Sequence, residues 1–591
     1  MAEPTIQLGG GNWAGKSDNI LGYYKEGERF YKQDFTFSRS TTGTYTDKDG
    51  YIQEMPYNEV TYSEQFDLWA ISGSITRTSN IATSPNGTLT ADGIQDTSGG
   101  SYKRVRKSIS VNPNSTYTSS CYIKKVTSET AYTGFGLVFS GGTQKLAYGI
   151  IDSVNGTITS ASSTITPTFN VVSVGDYWRF EMTATDNGSN SSLEFSIYAT
   201  LSTNGTSLNV GIGSIRTLWG AQINKGTSAK TYFPTTTRLN MPRVDYLNNS
   251  NGSLILEPQR SNLITYSSDF TQWGNARTTD TANQITSPDG LNNGTLLEQQ
   301  SGQTNAGSIY FSVSLSSGTY AQSIFAKKKD KDFIVCYSAN AERTYFNLSN
   351  GTIGTIASGN TAKIEDYGNG WYRCTITYTI TSGSVVAFYL SDSDNSSVVT
   401  DSGGVYIYGA QIEAGSYPTT LINTSGSSVT RNADVCNNGG DASRFNSSEG
   451  VLYAEFKSFT STDTVDLNRY ITLTNGTSNE RVALLLGGNT NQLRAIIYSS
   501  SQSINLSFST TATETKQFNK LAVKYKSGDY AFYLNGVEIG SSTESSIFSA
   551  NTLDDLSLDV GGGTQQFRGF LKDLRVYNTA LTDSELATLT T

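Results

Sequence analysis

The sequence predicts an all-β protein of tandem antiparallel β-sandwiches of the jelly-roll type, preceded by a small N-terminal element. Composition is the first indication: the chain holds 35 Tyr, 25 Phe and 57 Gly among 591 residues, and only 16% of it is charged. Aromatic residues and Thr suit pleated strands, whereas Gly, Asn and Ser suit turns. Apolar and aromatic runs recur at regular spacing, which argues against disorder because they supply surface to bury.

An internal repeat is the second indication. "TYSEQFDLW" (Thr61–Trp69) and "TYSSDFTQW" (Thr265–Trp273) agree at five of nine positions. "GDYWRFEMT" and "LWGAQINKG" in the first half are answered, in the same order, by "GNGWYRCTIT" and "IYGAQIEAG" in the second. The chain therefore begins the same domain twice, and the alternating segments predict eight to ten strands in each copy.

The predicted boundaries follow from these landmarks and from changes in the sequence pattern. The Gly-rich start of the chain contains few strong strands, so it is predicted to be a separate element. The segments are an N-terminal element (1–57), a first jelly roll called copy 1 (58–237), a connector (238–260), a second jelly roll called copy 2 (261–434), a linker (435–447) and a C-terminal sandwich (448–591).

The C-terminal sandwich shows the clearest local signals. "LAVKYKSGDYAFYLNGVEIG" alternates apolar and polar residues, turns at "SGD" and turns again at Asn535-Gly536, a strong hairpin signal. Thr582 followed by Glu585 fits a capping box, which predicts a short helix at that point.

Charge, hydropathy and histidine content exclude several classes of function. The net charge of −9 argues against general nucleic-acid binding, and no apolar run reaches the roughly 20 residues that span a membrane. The start of the chain lacks the pattern of a signal peptide. No histidine is present, which removes Ser-His-Asp and Cys-His arrangements and most zinc sites. No E-x-D-x-x-E string supplies paired carboxylates, so we predict no catalytic residue, metal or cofactor.

Two minor questions stay open at this stage. Cys336 and Cys374 lie within one copy and could pair, although free buried thiols are favoured in a chain with four cysteines. Asp392 and Asp394 in "SDSDN" are possible calcium ligands, although a polar hairpin loop is favoured because the string lacks the rest of a calcium loop.

Carbohydrate recognition needs an exposed aromatic ring with polar side chains around it. Trp69 and Trp273 each begin a sandwich and are interpreted as core residues. Tyr525, Tyr530 and Tyr533 lie beside turns of the C-terminal sandwich, so they are the candidates for an exposed sugar platform.

Several segments resemble virion proteins of tailed bacteriophages. "FTFSRSTTGTYTDKDGYIQ" is similar to the segment that those proteins carry ahead of their first sandwich. "MPRVDYLNNSNGSLILEPQRSNLITYSSDFTQW" and "YGAQIEAGSYPTTLINTSGSSVTRNAD" resemble the connector and the end of a carbohydrate-binding-module-like jelly roll. "YAFYLNGVEIG" and "FRGFLKDLRVYNTALTDSEL" resemble a laminin-G-like, concanavalin-A-like lectin sandwich.

The resemblance implies a fibre or appendage subunit, on either the tail or the head, that is usually a homotrimer. It implies an N-terminal element anchored to other virion structural proteins and sandwiches exposed on the particle, which is assembled in the host cytoplasm. The implied ligand is a host-surface polysaccharide or glycan, bound weakly at many sites, without nucleic-acid binding or membrane insertion. A purely structural virion spacer or decoration protein is the alternative, and a polysaccharide depolymerase is the third possibility.

Overall fold

A computed structural model shows a nearly all-β chain that divides into two compact units. The main unit combines Met1–Glu54 with Leu239–Thr591, and the inserted unit is Met55–Arg238, which holds copy 1. The structure describes residues 2–16, 18–26, 29–98, 100–101, 103–111, 115–127, 131–161, 163–186, 190–201, 209–210, 213–237, 239–459, 469–487, 492–499, 502–509, 514–545 and 548–591. Among these residues, no helix has the length and apolar character needed to cross a membrane.

The N-terminal part of the main unit forms six strands: β1 (Ile6–Gly9), β2 (Ala14–Lys16), β3 (Asn19–Glu26), β4 (Arg29–Ser38), β5 (Gly43–Thr46) and β6 (Ile52–Met55). β3 and β4 make a long antiparallel hairpin, and β5 and β6 make a second, shorter one.

The inserted unit is a sandwich of two six-stranded antiparallel sheets, in the orders β15-β14-β13-β18-β11-β7 and β16-β17-β12-β20-β9-β8. Its strands are β7 (Ala70–Ser72), β8 (Ile75–Thr83), β9 (Leu89–Asp96), β10 (Gly100–Ser101), β11 (Arg104–Ser110), β12 (Thr116–Lys124), β13 (Tyr132–Ser140), β14 (Lys145–Asp152), β15 (Ile158–Ser160), β16 (Thr168–Val174), β17 (Tyr177–Thr185), β18 (Ser192–Leu201), β19 (Asn209–Val210) and β20 (Arg216–Lys225). β10 and β19 form a separate two-stranded ribbon.

Copy 2 is a second sandwich of the same design, with sheets in the orders β24-β27-β34-β29-β30-β31 and β25-β26-β35-β28-β33-β32. The connector, copy 2 and the following segment contain β21 (Val244–Asp245), β22 (Ser253–Leu256), β23 (Arg260–Asn262), β24 (Gly274–Ala276), β25 (Thr278–Ile285), β26 (Gly294–Gln299), β27 (Ser308–Leu315), β28 (Gly318–Lys328), β29 (Phe333–Tyr337), β30 (Arg343–Asn347), β31 (Thr352–Ile353), β32 (Thr361–Asp366), β33 (Trp371–Ile380), β34 (Gly383–Ser391), β35 (Gly404–Ala414), β36 (Val429–Arg431) and β37 (Val435–Asn437). The prediction of eight to ten strands per copy was too low, because very short edge strands (β7, β15, β24 and β31) extend one sheet of each sandwich to six.

The sequence repeat is also a structural repeat. A one-turn 3₁₀ helix precedes Trp69 in copy 1 and Trp273 in copy 2, and both tryptophans are buried, as predicted. The indole N–H of Trp69 donates to the Tyr62 carbonyl at 3.0 Å, and that of Trp273 donates to the Tyr266 carbonyl at 2.9 Å. The shared "TYS" and Trp positions therefore specify one packing arrangement at the start of each sandwich.

The C-terminal sandwich confirms the local predictions. Its elements are β38 (Glu449–Lys457), β39 (Arg469–Thr474), β40 (Arg481–Leu486), β41 (Gln492–Ser499), β42 (Gln502–Ser509), β43 (Asn519–Lys526), β44 (Tyr530–Leu534), β45 (Val537–Ser542), β46 (Asp555–Ser557), β47 (Gly569–Tyr577) and helix α1 (Asp583–Thr590). β44 and β45 meet at the predicted Asn535-Gly536 turn, and Thr582 with Glu585 forms the predicted capping box.

The prediction that residues 1–57 form a separate element is wrong. β1 and β22 pair with successive halves of one edge of β47, while β38 pairs with the other edge. The resulting large sheet contains N-terminal, connector and C-terminal strands in one surface. Ile6, Leu8, Phe35 and Phe37 are fully buried in the core of the C-terminal sandwich, so the N-terminal strands complete that core.

The prediction that 435–447 is a linker is wrong for the same reason. β37 pairs with β4, and Cys436 and Phe445 are buried in the same core. All four cysteines are free and buried, including Cys336 and Cys374 in the core of copy 2. The pairs of distant segments that meet here are separated by hundreds of residues, which local sequence patterns do not encode.

A buried network of charges joins the N-terminal strands, the connector and the end of copy 2. Asp434 accepts hydrogen bonds from Arg39 at 2.7 Å and Arg243 at 2.6 Å, and Glu257 lies 2.8 Å from Arg243 and 2.7 Å from Arg431. All five side chains are at most 1% exposed. Burial alone would raise the pKa of Asp434, but the charges of the three arginines lower it to about 2.

Candidate carbohydrate-binding face

The three tyrosines predicted as an exposed sugar platform are buried. Tyr525, Tyr530 and Tyr533 are 1%, 3% and 4% exposed, so the prediction of exposure is wrong. Tyr525 and Tyr530 pack in the sandwich core, and Tyr533 packs on the opposite face of the sheet with residues of α1. A ring beside a turn is still buried here because both faces of β43 and β44 are covered. Sugar binding through these three rings stays a prediction, but the exposure on which it was based is absent.

The structure instead places aromatic side chains on an outer face of copy 2. In the sheet that begins with β24, alternate residues such as Ile309, Ile334 and Phe388 point into the core. The intervening residues point away from the core, because successive side chains of a strand alternate between faces. The tyrosine face is defined by the outward residues Tyr310, Tyr337, Arg343 and Tyr389, whereas the outward Tyr345 is only 3% exposed.

Strand register arranges the tyrosine face in rows. Tyr310, Ala387, Tyr337 and Arg343 are successive partners across β27, β34, β29 and β30, and Tyr389 lies in the adjacent row. Neighbouring strands are about 4.8 Å apart, so the backbones at Tyr310 and Tyr337 are about 10 Å apart. An extended ligand that crosses the strands can therefore contact more than one ring.

The rings are available to solvent. Tyr310 is 37% exposed, and Tyr337 and Tyr389 are each partly exposed. The ring centroids of Tyr337 and Tyr389 are 5.3 Å apart and tilted by 56°. A Cβ atom at Gly274 would lie 2.3 Å from Cζ of Tyr310, so the ring rests against the strand where only glycine leaves room.

Arg343 gives the tyrosine face a positive charge. Its guanidinium carbon lies 4.8 Å from the centroid of the Tyr389 ring, a cation–π distance. Within the described residues, Arg343 makes no ion pair and no side-chain hydrogen bond. Because stacking on Tyr389 leaves the N–H edge of the guanidinium unused, Arg343 has donors ready for an external acceptor.

The arrangement suits binding rather than catalysis. An aromatic ring offers a flat apolar surface to the C–H face of a sugar, and the surrounding donors can select its oxygens. Glu413, one of the carboxylates in copy 2, is fully buried and accepts hydrogen bonds from Thr419 and Gln411. It therefore stabilises the end of the sandwich instead of facing a cleft.

The same face of copy 1 has different chemistry. Arg106 pairs with Ala70 as Tyr310 pairs with Gly274, so an arginine takes the place of the exposed tyrosine. Gly136 stands where copy 2 has Tyr337, so a second ring is missing. Tyr148 and Tyr198 lie at the copy 1 positions that match Arg343 and Tyr389, so the two copies present different side chains on the same face.

Two arginines on this face of copy 1 share one carboxylate. Glu194 lies 3.1 Å from Arg104 and 2.7 Å from Arg106, and it accepts a hydrogen bond from Ser196 at 2.6 Å. Burial acts to raise the pKa of Glu194, but these hydrogen bonds and charges lower it overall. Copy 1 therefore carries a paired charge cluster on this face, whereas Arg343 of copy 2 has no charged partner among the described residues.

A smaller aromatic cluster lies on the outer face of the sheet formed by β39 to β42 and β46. Arg481 lies 4.8 Å from the Tyr498 ring centroid and 5.8 Å from that of Tyr470. Tyr470 is only 6% exposed, and Arg481 also donates to the Ser478 carbonyl. Arg481 therefore covers the rings, which makes this cluster a weaker candidate than the tyrosine face.

In the structure, a lysine contacts the "SDSDN" loop, which was considered as a possible calcium site. Lys331 is 2% exposed and pairs with Asp392 and, at 2.8 Å, with Asp401. Asp394 accepts hydrogen bonds from the backbone N–H of Thr355 at 2.7 Å and from its hydroxyl at 3.0 Å. Among the described residues, no group of three or more His, Cys, Asp or Glu is placed to hold a metal ion.

Comparison with known proteins gives one family match. Residues 452–587 match the laminin-G family described as the concanavalin A-like lectin/glucanases superfamily, in agreement with the sequence resemblance. No curated protein sequence matches the chain significantly.

Solved structures give only distant likenesses. The sialidase carbohydrate-binding module CBM40 of Ruminococcus gnavus is 17% identical over 26% of this chain and 94% of that chain, with a TM-score of 0.22. Domain 4 of the extracellular arabinanase AbnA from Geobacillus stearothermophilus is 23% identical over 27% and 73%, with a TM-score of 0.22. The tandem CBM22 modules of Paenibacillus barcinonensis Xyn10C are 14% identical over 64% and 98%, with a TM-score of 0.19. Likenesses at these scores do not bear on function. Residues 452–587 are similar to the concanavalin A-like lectin/glucanases superfamily.

Proposed function

We propose that this chain is a bacteriophage virion fibre or appendage subunit, on the tail or the head, that attaches the particle to host-surface glycans. The virion role is supported by the resemblance of the segment before copy 1, the connector and the end of copy 2 to virion proteins. Glycan binding is supported by the lectin-family match of residues 452–587 and, above all, by the tyrosine face of copy 2.

The tyrosine face binds weakly in this proposal. It is a sheet surface rather than a deep pocket, and shallow surfaces leave much of a bound sugar in water. A homotrimer or a multi-copy particle raises the apparent affinity about 10²–10⁴-fold through effective concentration, without new contacts. The proposal includes exposure on the virion surface, so that the tyrosine face can reach the glycan, and no catalytic activity.

Attachment to other virion structural proteins is assigned to the N-terminal region. Because β1 and β4 belong to the same large sheet as β47, a force on that region passes directly into the C-terminal sandwich through backbone hydrogen bonds. The anchor and the lectin-like sandwich therefore form one mechanical unit in this proposal.

Glycan binding is tested with the full chain and a variant in which Tyr310, Tyr337 and Tyr389 are all replaced by Ser. We expect the wild-type chain to bind extracted host-surface polysaccharide in an array format, and the triple variant to lose at least tenfold in apparent affinity. Tyr148→Ser, on the corresponding face of copy 1, is the matched control and should bind normally. Equal binding by the triple variant and the wild type, with both folded, would remove the tyrosine face from the proposal.

A structural spacer is the second candidate, and the interlocking of N-terminal, connector and C-terminal strands favours it. A spacer must transmit load, and a shared sheet with a buried charge network does so. The spacer becomes the better explanation if the folded wild-type chain binds no host polysaccharide even when it is displayed in many copies.

A further inference from the structure

The unpaired state of Arg343 distinguishes the tyrosine face from its counterpart in copy 1. An arginine that is partly exposed on a sheet surface usually finds a carboxylate, as Arg104 and Arg106 do with Glu194. Arg343 has no such partner within the described residues, although Glu342 precedes it in sequence. The tyrosine face therefore keeps one positive charge for a group that is not part of this chain.

The geometry around Arg343 indicates which chemical group it could bind. The Tyr389 ring, whose centroid is 4.8 Å from the guanidinium carbon, restricts the positions that the guanidinium can take. A planar guanidinium can bind a planar carboxylate through two parallel hydrogen bonds. Tyr337, in contact with Tyr389 at 5.3 Å, supplies the apolar surface beside that carboxylate.

We propose that copy 2 binds an acidic polysaccharide, with the carboxylate of a uronic acid residue on Arg343 and a sugar ring on Tyr337. The inference rests on the proposed glycan-binding function and specifies its ligand class. General electrostatic attraction does not explain such binding, because the chain has a net charge of −9 and repels polyanions at long range. The recognition is local and depends on one side chain.

The test uses the full chain and oligogalacturonate, with the carboxyl-reduced oligomer of the same length and linkage as the neutral probe. Calorimetry or interferometry compares wild type with Arg343→Gln, Arg343→Lys and Tyr337→Ser, and thermal unfolding verifies that each variant is folded. Arg106→Gln in copy 1 is the matched control for loss of a surface arginine.

We expect Arg343→Gln to weaken oligogalacturonate binding about tenfold or more, the usual effect of losing a charge-assisted bidentate pair, and to leave the reduced oligomer unaffected. Arg343→Lys keeps the charge but loses the planar fork, so it should recover only part of the affinity. Tyr337→Ser should weaken binding of both oligomers, and Arg106→Gln should weaken neither.

Each contrary result has a defined meaning. No binding of oligogalacturonate by the wild type, or binding unchanged in Arg343→Gln, overturns the acidic-ligand inference. If the reduced oligomer still binds and still depends on Tyr337, the glycan-binding function survives that failure. Equal binding of a sulfated dextran through Arg343 would replace the carboxylate assignment with general anion recognition, and no effect of Tyr337→Ser on any sugar would count against the proposed function itself.

Discussion

Replacing Asp434 by Asn should destabilise the main unit strongly. The carboxylate of Asp434 accepts hydrogen bonds from Arg39 and Arg243 in a site that is closed to solvent. Asparagine has nearly the same shape but no charge, so it would leave a buried cluster of three arginines facing only Glu257. Removing one partner of a buried ion pair leaves an uncompensated charge, which is the costly case.

The magnitude follows from the pKa of Asp434. The folded pKa is about 2, compared with an ordinary value of 3.8. At about 1.4 kcal/mol for each pKa unit, the charged form gains about 2.5 kcal/mol in the folded state. Direct removal of one member of a buried pair typically costs about 3–5 kcal/mol. We therefore expect Asp434→Asn to lower the free energy of unfolding of the main unit by about 2–5 kcal/mol at pH 7.

The acid dependence provides a second readout with a defined sign. Because the folded pKa is lowered, the stabilisation by Asp434 is present above its unfolded pKa of about 4 and is lost as the pH falls towards 2. The Asn variant should therefore differ from wild type most at neutral pH and least near pH 2.

The assay is denaturant unfolding between pH 2 and 8, followed by a probe in the main unit. Asp49→Asn is the control, since Asp49 is exposed and outside the network. A loss below 0.5 kcal/mol at pH 7, or an unchanged acid dependence, would show that the network contributes no net stability.

Three further predictions concern stability. Deleting residues 2–11 removes β1 and two buried side chains, so it should lower the melting temperature of the main unit and leave that of the inserted unit unchanged in calorimetry. Burial raises the pKa of Asp555 to about 6, so the wild type loses stability as the pH rises from about 4 through 6. In chemical unfolding, Asp555→Asn should raise the free energy of unfolding by about 1–3 kcal/mol at pH 7.5 and leave it unchanged at pH 4. Gly439→Ala would place a Cβ 2.1 Å from the Phe35 ring and should cost about 1–3 kcal/mol in thermal unfolding, whereas Gly562→Ala, with open space around it, should cost little; equal losses would contradict this packing.

Sequence patterns predicted the features that depend on neighbouring residues. The duplicated jelly rolls, the Asn535-Gly536 hairpin and the capping box at Thr582 each depend on a few adjacent side chains. Such signals predict the local structure well because turn and cap geometry depends on neighbouring residues.

Long-range pairing was not predictable in the same way. Nothing in "IQLG" indicates that Ile6 pairs opposite Val576, because a four-residue strand carries too little pattern to identify its partner. The burial of Tyr533 had a similar origin, since the helix that covers it lies outside its own strand. Tyr310 and Tyr389 alternate visibly with core residues, but only the order of the strands shows that they share a face.

The segments that carry the family resemblance have a structural role. Arg243 and Glu257 belong to the connector, Arg431 and Asp434 end copy 2, and Arg39 lies in the segment before copy 1. All five meet in the buried network. These recognisable motifs therefore specify how the modules join, and the tyrosine face lies in less distinctive sequence.

The pairing of β1 with β47 determines the order in which the two units can fold during synthesis on the ribosome. The inserted unit is continuous in sequence and can fold once residue 238 has emerged, whereas the main unit has to wait for its final strand. At 5–20 residues per second, the N-terminal hairpin is made roughly half a minute to two minutes before β47. During that interval the edge of β1 that pairs with β47 has no partner, and exposed edges invite pairing with other nascent chains. A chaperone that shields this edge would therefore increase the yield of correctly folded protein.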